Sequence, residues 1–386
     1  MGYTYRVFNL AAEIERSAWE EVCSSAEASI FLDLRFVMAV EAAMTPSCRF
    51  WYVLIYQEDG RPVACAGMTA MNVDLTDFGD PRATWILKQD FPILSRLRRM
   101  NILFCSLPGS PGDKSIAISP AAESREVLEL LDNILVKISF EEQFDAIIFK
   151  EFTPTDIEWL DPLRELGYQR IEIPPMHLFD SSFQDFSQYC CALKTKYRQQ
   201  INRSIRKISN RSVCIRIISD YNEIMKRYSP EVHSLYCNMV RRSDLKIEVL
   251  PREYYLYLAK YLKGNLEMIA LILNDRIIAF GWCIHERNAY HMMYAGLDYD
   301  LNSELDLYFN LMYAGFDRAL RRRVRRIHVG QTATAFKSRM GCISEPRYIY
   351  VKGIGFFMSR VFRYGSNLLV IKKPSYAPAH VFKRQS

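Results

Sequence analysis

The chain has 386 residues, of which 49% are hydrophobic and 13% aromatic, and its formal net charge is +6. A chain of this length and apolar content predicts two domains of ordinary size, each with a buried core. Its ten cysteines have no metal-ligand spacing, no apolar run is long enough to span a bilayer, and no export signal follows Met1. These features disfavour a zinc site, an integral membrane protein and a secreted one, and we expect a reduced cytoplasmic location.

The first half of the chain alternates predicted strands and helices. The predicted strands are Tyr3–Asn9, Phe50–Gln57, Pro62–Met71, Asn101–Ser106 and Asp145–Lys150, followed by the run Tyr168–Phe179. The predicted helices are Ala11–Ser25, Leu34–Ala43, Pro120–Ser139 and Thr155–Leu166. This half therefore predicts a mixed α/β domain, which we place at residues 1–185.

The second half begins with a basic, helical segment at 187–210 and repeats a similar order of elements. The predicted strands are Val213–Ser219, Leu266–Leu273, Ile277–Glu286, Ala289–Gly296, Ile327–Gly330 and Arg347–Lys352. The predicted helices are Tyr221–Arg241, Pro251–Lys263 and Ser303–Arg322. Asn274, Asp275 and Arg276 supply turn chemistry between two of the strands, which predicts a hairpin. We place this second domain at residues 186–372 and a tail at 373–386.

Charge is divided unevenly between the two halves. Residues 1–190 contain 16 Lys and Arg against 29 Asp and Glu, a net charge of −13. Residues 191–386 contain 34 against 15, a net charge of +19. The basic half indicates a polyanionic ligand, such as coenzyme A phosphates, a nucleotide-linked substrate or tRNA; the alternative is a basic surface with no dedicated ligand.

Two features of the residues themselves suggest local chemistry. On the basic helix, Lys194, Arg198 and Asn202 follow a spacing of four, so they share one face that suits phosphate, unless it is simply solvated. We include Lys196 and Arg198 among the candidate binding residues. His291 lies on a predicted strand and is a candidate general base, although a histidine satisfied within the sheet is the alternative.

The order of elements, together with the stretches "GLDYD", "LYFNLMYAGFDRAL" and "IHVGQTATAFKSRMGC", resembles the GNAT N-acetyltransferase superfamily and, in detail, its FemAB-like branch. The resemblance implies an α/β fold of two tandem acetyltransferase-like domains, each a mixed, mostly antiparallel sheet flanked by helices. The N-terminal domain follows this layout only in element order and is expected to be degenerate.

The resemblance also implies the site residues. Lys337, in the Phe-Lys turn, is expected to point at a diphosphate or at the tetrahedral centre, assisted by Arg339. Gln331 is a further candidate for substrate or cofactor binding. Asp298 is the candidate carboxylate for the substrate amine, and Tyr308 and Tyr294 are candidate hydroxyl donors to the leaving group. Ser303 is expected to begin the central helix as an N-cap or anion contact. The segment Leu301–Tyr308 has no glycine, unlike the pyrophosphate loop of typical acetyltransferases.

The sequence thus predicts an acyltransferase that forms an amide by direct attack of an amine on an acyl-CoA or another acyl thioester. The acceptor is expected to be a small-molecule amine, and the donor an acyl-CoA, an acyl carrier protein or an aminoacyl-tRNA. No metal or tightly bound cofactor is expected. Two alternatives remain: an aminoacyl-tRNA-dependent transferase of the FemAB type, and a non-catalytic binding protein built from two transferase domains.

Overall fold

The computed structural model describes residues 2–74, 76, 98–111, 113–243, 249–365 and 379–383. The chain divides into two compact units. Unit one consists of Met1–Pro174, Asp244–Tyr257 and Pro346–Lys373, and unit two of Pro175–Ser243, Leu258–Glu345 and Pro374–Ser386. The first boundary lies at residue 174, compared with residue 185 in the sequence-based division, and unit one includes two segments from the second half of the chain.

Unit one is a mixed sheet with helices. Its strands are β1 (Tyr3–Phe8), β2 (Arg49–Gln57), β3 (Pro62–Asp74), β4 (Arg99–Cys105), β5 (Ile116–Ile118), β6 (Ala146–Phe152) and most of β13 (Ile343–Gly353). Its helices include α1 (Arg16–Ser25), α2 (Leu34–Met44), α3 (Ser124–Glu141), α4 (Ile157–Leu160), α5 (Pro162–Glu165) and α14 (Gly355–Gly365). The strand order is β1-β2-β3-β4-β6-β13, with β5 beside β3. Neighbouring strands are antiparallel except for the parallel pair β4 and β6.

Unit two has a sheet of the same kind. Its strands are β8 (Cys214–Ile218), β9 (Leu266–Leu273), β10 (Arg276–His285), β11 (Ala289–Leu297), β12 (Arg326–His328) and the second part of β7 (Gln169–Asp180). Its helices include α6 (Phe186–Ala192), α7 (Thr195–Asn210), α8 (Tyr221–Arg227), α9 (Pro230–Arg242), α11 (Tyr299–Leu305), α12 (Leu307–Arg321) and α13 (Thr334–Arg339). Helix α10 (Arg252–Tyr261) contributes residues to both units. The strand order is β8-β9-β10-β11-β12-β7.

The two sheets follow one plan. In unit two, neighbouring strands are antiparallel except for the parallel pair β11 and β12, which takes the place of β4 and β6 in unit one. The sixth strand is exchanged: β13, from the end of the chain, completes unit one, and β7, from the first half, completes unit two. The predicted tandem fold of two mixed, mostly antiparallel sheets is confirmed.

Apolar residues place the core of unit two between its sheet and α12. Strand β9 is buried from Leu266 to Ile272, and α12 buries Leu307, Leu311 and Phe316 at helical spacing. Gly315 permits a close approach, because a Cβ there would stand 2.3 Å from Cε of Met292 on β11. This packing holds the middle of α12 against the middle of β11.

Several predicted helices are interrupted, three of them in unit two. The predicted helix Ser303–Arg322 is two helices, because Asp306 adopts a left-handed φ of 51° between α11 and α12. The predicted helix Tyr221–Arg241 breaks before Pro230, which begins α9. The basic segment 187–210 contains α6 and α7, with Lys194 as the N-cap of α7 rather than part of a continuous helical row.

Part of the predicted tail is packed against unit two. Val381 is buried, and Phe382 forms an isolated β-bridge with Leu193. Residues 373–378 and 384–386 of that tail lie outside the described part of the chain. Among the described helices, none is long and apolar enough to cross a membrane.

Candidate functional site

The parallel strands of unit two separate after a short pairing. β11 pairs with β12 only from Ala289 to His291, opposite Arg326 to His328. β11 then continues to Leu297, whereas β12 ends and the chain turns away at Val329 and Gly330. The divergence leaves a fork at Met292, next to the carboxyl end of β12. We take this fork as the candidate site, because ligands in sheets of this kind bind where neighbouring strands diverge.

Lys337 reaches this fork from α13. Gly330 has a φ of 84°, and a Cβ placed on it would stand 3.4 Å from Lys337 Nζ and 3.9 Å from the carbonyl oxygen of Met292. The turn therefore needs a glycine both for its left-handed conformation and for the space beside the amine. Lys337 is only 2% exposed. Lys337, which the sequence placed in a turn, is thus a buried residue of a short helix.

Burial controls the charge of this amine. It lowers the pKa of Lys337 to about 7. Among the described residues, no carboxylate forms an ion pair with Lys337. The thiol remains protonated, because burial raises the pKa of Cys342 to about 12. Near neutral pH, Lys337 therefore exists as a mixture of amine and ammonium.

His177, from the exchanged strand β7, supports the fork, and no role was predicted for it from the sequence. Its backbone N–H donates to the Gly330 carbonyl at 3.1 Å, and its carbonyl accepts from Val329 N–H at 2.8 Å. Its ring lies 3.1 Å from Thr334 Oγ1 and 3.0 Å from Ser344 Oγ. Burial, followed by the charge of Lys337, lowers the pKa of His177 to about 4. A neutral imidazole thus links the turn to the start of α13.

Aromatic rings pack against α13 beside Lys337. Phe336 stacks on Phe309 with ring centroids 4.5 Å apart and meets Tyr308 edge-on at 5.6 Å. Burial raises the pKa of Tyr308 well above its ordinary value, so its hydroxyl stays protonated. The Tyr308 ring of α12 therefore packs on Phe336, the residue next to Lys337 on α13.

His291 lies at the last paired position of the two strands. Its ring lies 4.3 Å from that of His328 on β12, measured between centroids, and its Nε2 is 2.8 Å from Glu286 Oε1. It is 3% exposed. This geometry matches the sheet-satisfied alternative that the sequence left open, and a role as general base remains a prediction.

The start of α12 does not fit a diphosphate. The Asp306 carboxylate already lies there, accepting from Ser204 Oγ and Lys207 Nζ at 2.8 Å each. Asn310 Nδ2 donates to the carbonyls of Leu305 and Ser204 in the same corner. An anion at this helix end would have to compete with the Asp306 carboxylate for Ser204 and Lys207. Ser303, expected to begin the central helix, is instead an exposed residue inside α11, whose N-cap is Asp298.

Asp298 and Tyr294 lie away from the start of α13. Asp298 pairs with Arg276 at 2.8 Å and lines a separate cleft of about 880 Å³, together with Tyr299 and Arg242. Tyr294 is half-buried on β11 and packs edge-on against Tyr236 of α9 at 6.0 Å. The structure thus gives Asp298 a capping and ion-pairing role at the end of β11.

The remaining predicted binding residues differ in exposure. Gln331 is half-buried in the turn after β12. A hydrogen bond between its main chain and His177 raises the pKa of His177 and so partly offsets the effect of burial. Arg339 is exposed at the end of α13, and its Nε donates to the Ala335 carbonyl. On α7, Lys196 is exposed with its amine over the Tyr197 ring, and Arg198 is half-buried.

Residues 195–338 match the family model described as acetyltransferase (GNAT) domain. This stretch of the chain is therefore similar to GNAT domains. The crystal structure of FemX resembles the fold with a TM-score of 0.56 at 10% identity, covering 91% of this chain and 97% of FemX. A tandem GNAT protein from the clavulanic acid biosynthesis pathway resembles the fold with a TM-score of 0.55 at 9% identity. The alignment covers 92% of this chain and 99% of that protein. A conserved protein of unknown function from Bacteroides thetaiotaomicron resembles the fold with a TM-score of 0.51 at 10% identity. The alignment covers 89% of this chain and 98% of that protein.

A comparison with curated protein sequences gave no match. The expected resemblance to the GNAT superfamily is confirmed, and the FemAB-like branch is confirmed at the level of the fold. The match begins at residue 195 and therefore excludes His177, which belongs to the first half of the chain.

Proposed function

We propose that the GNAT domain transfers an acyl or aminoacyl group to an amine by direct attack on an activated carbonyl. The observation that carries the proposal is the buried amine of Lys337, with a pKa of about 7, next to Gly330 at the fork. A base with a pKa close to the working pH is well suited to proton transfer. The superfamily match supports acyl transfer as the reaction class.

In the proposed reaction the acceptor nitrogen forms a bond to the donor carbonyl carbon, giving a tetrahedral intermediate. The neutral amine of Lys337 accepts the proton that this nitrogen loses. The resulting ammonium lies beside the oxyanion and stabilises it, since opposite charges attract strongly in a buried site. When the bond to the leaving sulfur or oxygen breaks, the protonated Tyr308 hydroxyl is the candidate donor to the leaving group, and Lys337 can reprotonate it.

The test is turnover with matched variants. Purified protein is incubated with panels of amines and of acyl thioesters, and amide formation is followed by mass spectrometry. We expect Lys337→Ala to lower the rate on the order of a hundredfold or more. Lys337→Arg should not restore it, because a guanidinium stays protonated. Lys260→Ala, at an exposed lysine on α10, is the control and should retain the full rate. Full activity in Lys337→Ala would contradict the proposal.

Aminoacyl-tRNA is the second candidate donor, and α7 favours it. This helix has no acidic residue. Its basic surface consists of Lys194, Lys196, Arg198, Arg203 and Arg206, and among the described residues no carboxylate forms an ion pair with any of these five. The Asp306 carboxylate at α12 also opposes a coenzyme A diphosphate there.

The two donors are distinguished by salt and by substitution on α7. Binding of tRNA should weaken steeply between 50 and 200 mM salt, about a thousandfold for six phosphate contacts. Arg203→Gln with Arg206→Gln should weaken it further and leave acyl-thioester turnover unchanged. If neither donor supports turnover while tRNA or a thioester still binds, the non-catalytic alternative is favoured.

Ten free cysteines support the proposed cytoplasmic location.

A further inference from the structure

Helix α14 of unit one has one buried face and one exposed aromatic face. Met358 and Phe362 are buried, at 3% and 5% exposure. On the opposite face Phe356 is 75% exposed, Phe357 44% and Tyr364 76%. Large aromatic side chains at such exposure on one short helix are unusual for a face that meets only water.

The cations of α14 lie among these rings. Phe356, Arg360 and Tyr364 follow a spacing of four and so form one line along the helix. The Arg360 guanidinium carbon lies 4.2 Å from the centroid of the Phe356 ring. Arg363 is exposed on the same side, and the helix contains no acidic residue. The face therefore combines apolar rings with uncompensated positive charge.

We propose that α14 docks on an anionic lipid surface, with the aromatic rings at the headgroup boundary and Arg360 and Arg363 on lipid phosphates. Aromatic rings with cations between them suit this boundary, which is apolar on one side and charged on the other. A second copy of the chain fits the face less well, because a two-fold contact would bring the same arginines together.

Within unit one, the attraction to anionic lipid is expected to come from α14. Unit one contains 24 Lys and Arg against 30 Asp and Glu, a net charge of −6, so as a whole it is repelled by anionic lipid. Replacement of two arginines should therefore abolish most of the preference for anionic over neutral vesicles. The proposal is independent of acyl transfer, since α14 lies outside the GNAT match.

The experiment is co-sedimentation of the full chain with phosphatidylcholine vesicles, with and without phosphatidylserine. We expect binding to the anionic vesicles that weakens as salt rises. Arg360→Gln with Arg363→Gln should lower the affinity about 25-fold, at about fivefold for each cation. Phe356→Ser with Tyr364→Ser should lower it roughly tenfold or more.

Two controls lie elsewhere on unit one. Phe140→Ser replaces a phenylalanine that is 63% exposed on α3, and Arg61→Gln replaces an exposed arginine in the turn after β2. Both should leave vesicle binding unchanged, and thermal melts should show that all variants fold. The proposal is overturned by absence of binding to anionic vesicles, by equal binding to neutral ones, or by insensitivity to the α14 variants. It is also overturned if tRNA, but not lipid, binds through the two arginines.

Discussion

Replacement of Lys337 by methionine should stabilise the protein while abolishing acyl transfer. Burial lowers the pKa of Lys337 from 10.5 to about 7, and each unit corresponds to about 1.4 kcal/mol. The buried amine therefore costs on the order of 5 kcal/mol of unfolding free energy below pH 7. Methionine has a similar unbranched shape and carries no charge to desolvate.

The stabilisation by Lys337→Met should depend on pH. Between pH 7 and 10.5 the unfolded chain holds the lysine proton and the folded chain does not, so the stability of the wild type rises with pH. The advantage of Lys337→Met should consequently be largest at pH 6 and shrink to roughly 2 kcal/mol at pH 9.

Urea denaturation of both proteins at these two pH values measures the change, with Lys260→Met as an exposed control that should show no such trend. A variant no more stable than the wild type at pH 6, or one whose advantage does not decline by pH 9, would refute the reasoning.

Three further predictions concern the fork and the core of unit two. If neutral Lys337 is the base, kcat/KM should rise with pH to a plateau, with an apparent pKa near 7. This rise should vanish in Lys337→Gln, and an unchanged rise in that variant would contradict the assignment. Gly330→Val should lower turnover roughly tenfold or more and lower Tm, because φ is 84° and a Cβ would stand 3.4 Å from Nζ; wild-type kinetics would contradict it. Burial alone would raise the pKa of Glu267, but hydrogen bonds from Arg318, Arg322 and Tyr290 lower it to about 2. The wild type should therefore lose stability as pH falls from about 4.5 to 2, whereas Glu267→Gln should be flatter there and about 2 to 3 kcal/mol less stable at pH 7 in urea titrations.

The order of strands and helices could be predicted because each element carries a local signal. β9 and β10 are short apolar runs separated by Asn274 and Asp275, which adopt left-handed φ values as the turn requires. The start of α12 could not be predicted in this way. Asp306 is left-handed and is held by Ser204 and Lys207 from α7, so the break in the predicted helix depends on a contact about a hundred residues away along the chain.

The resemblance singled out Lys337 as a site residue, but it did not predict that the side chain is buried or that its pKa is lowered. A lysine in a polar stretch normally predicts an exposed side chain. Here the Gly330 turn, α13 and Cys342 enclose it, and that enclosure lowers its pKa. Ser303 shows the opposite error, because the family pattern placed it at a helix start that Asp298 and Asp306 occupy in this chain.

The exchange of the sixth strands explains why the GNAT match alone does not contain the whole fork. The match spans 195–338, whereas β7 supplies His177, whose main chain holds Val329 and Gly330 and whose ring contacts Thr334. Ser344, the other ring partner, also lies beyond the match. The turn beside Lys337 is therefore fixed by residues on both sides of the domain in sequence. Positioning of the amine depends on the exchanged strand, and so on the first half of the chain, even though no catalytic group has been assigned there.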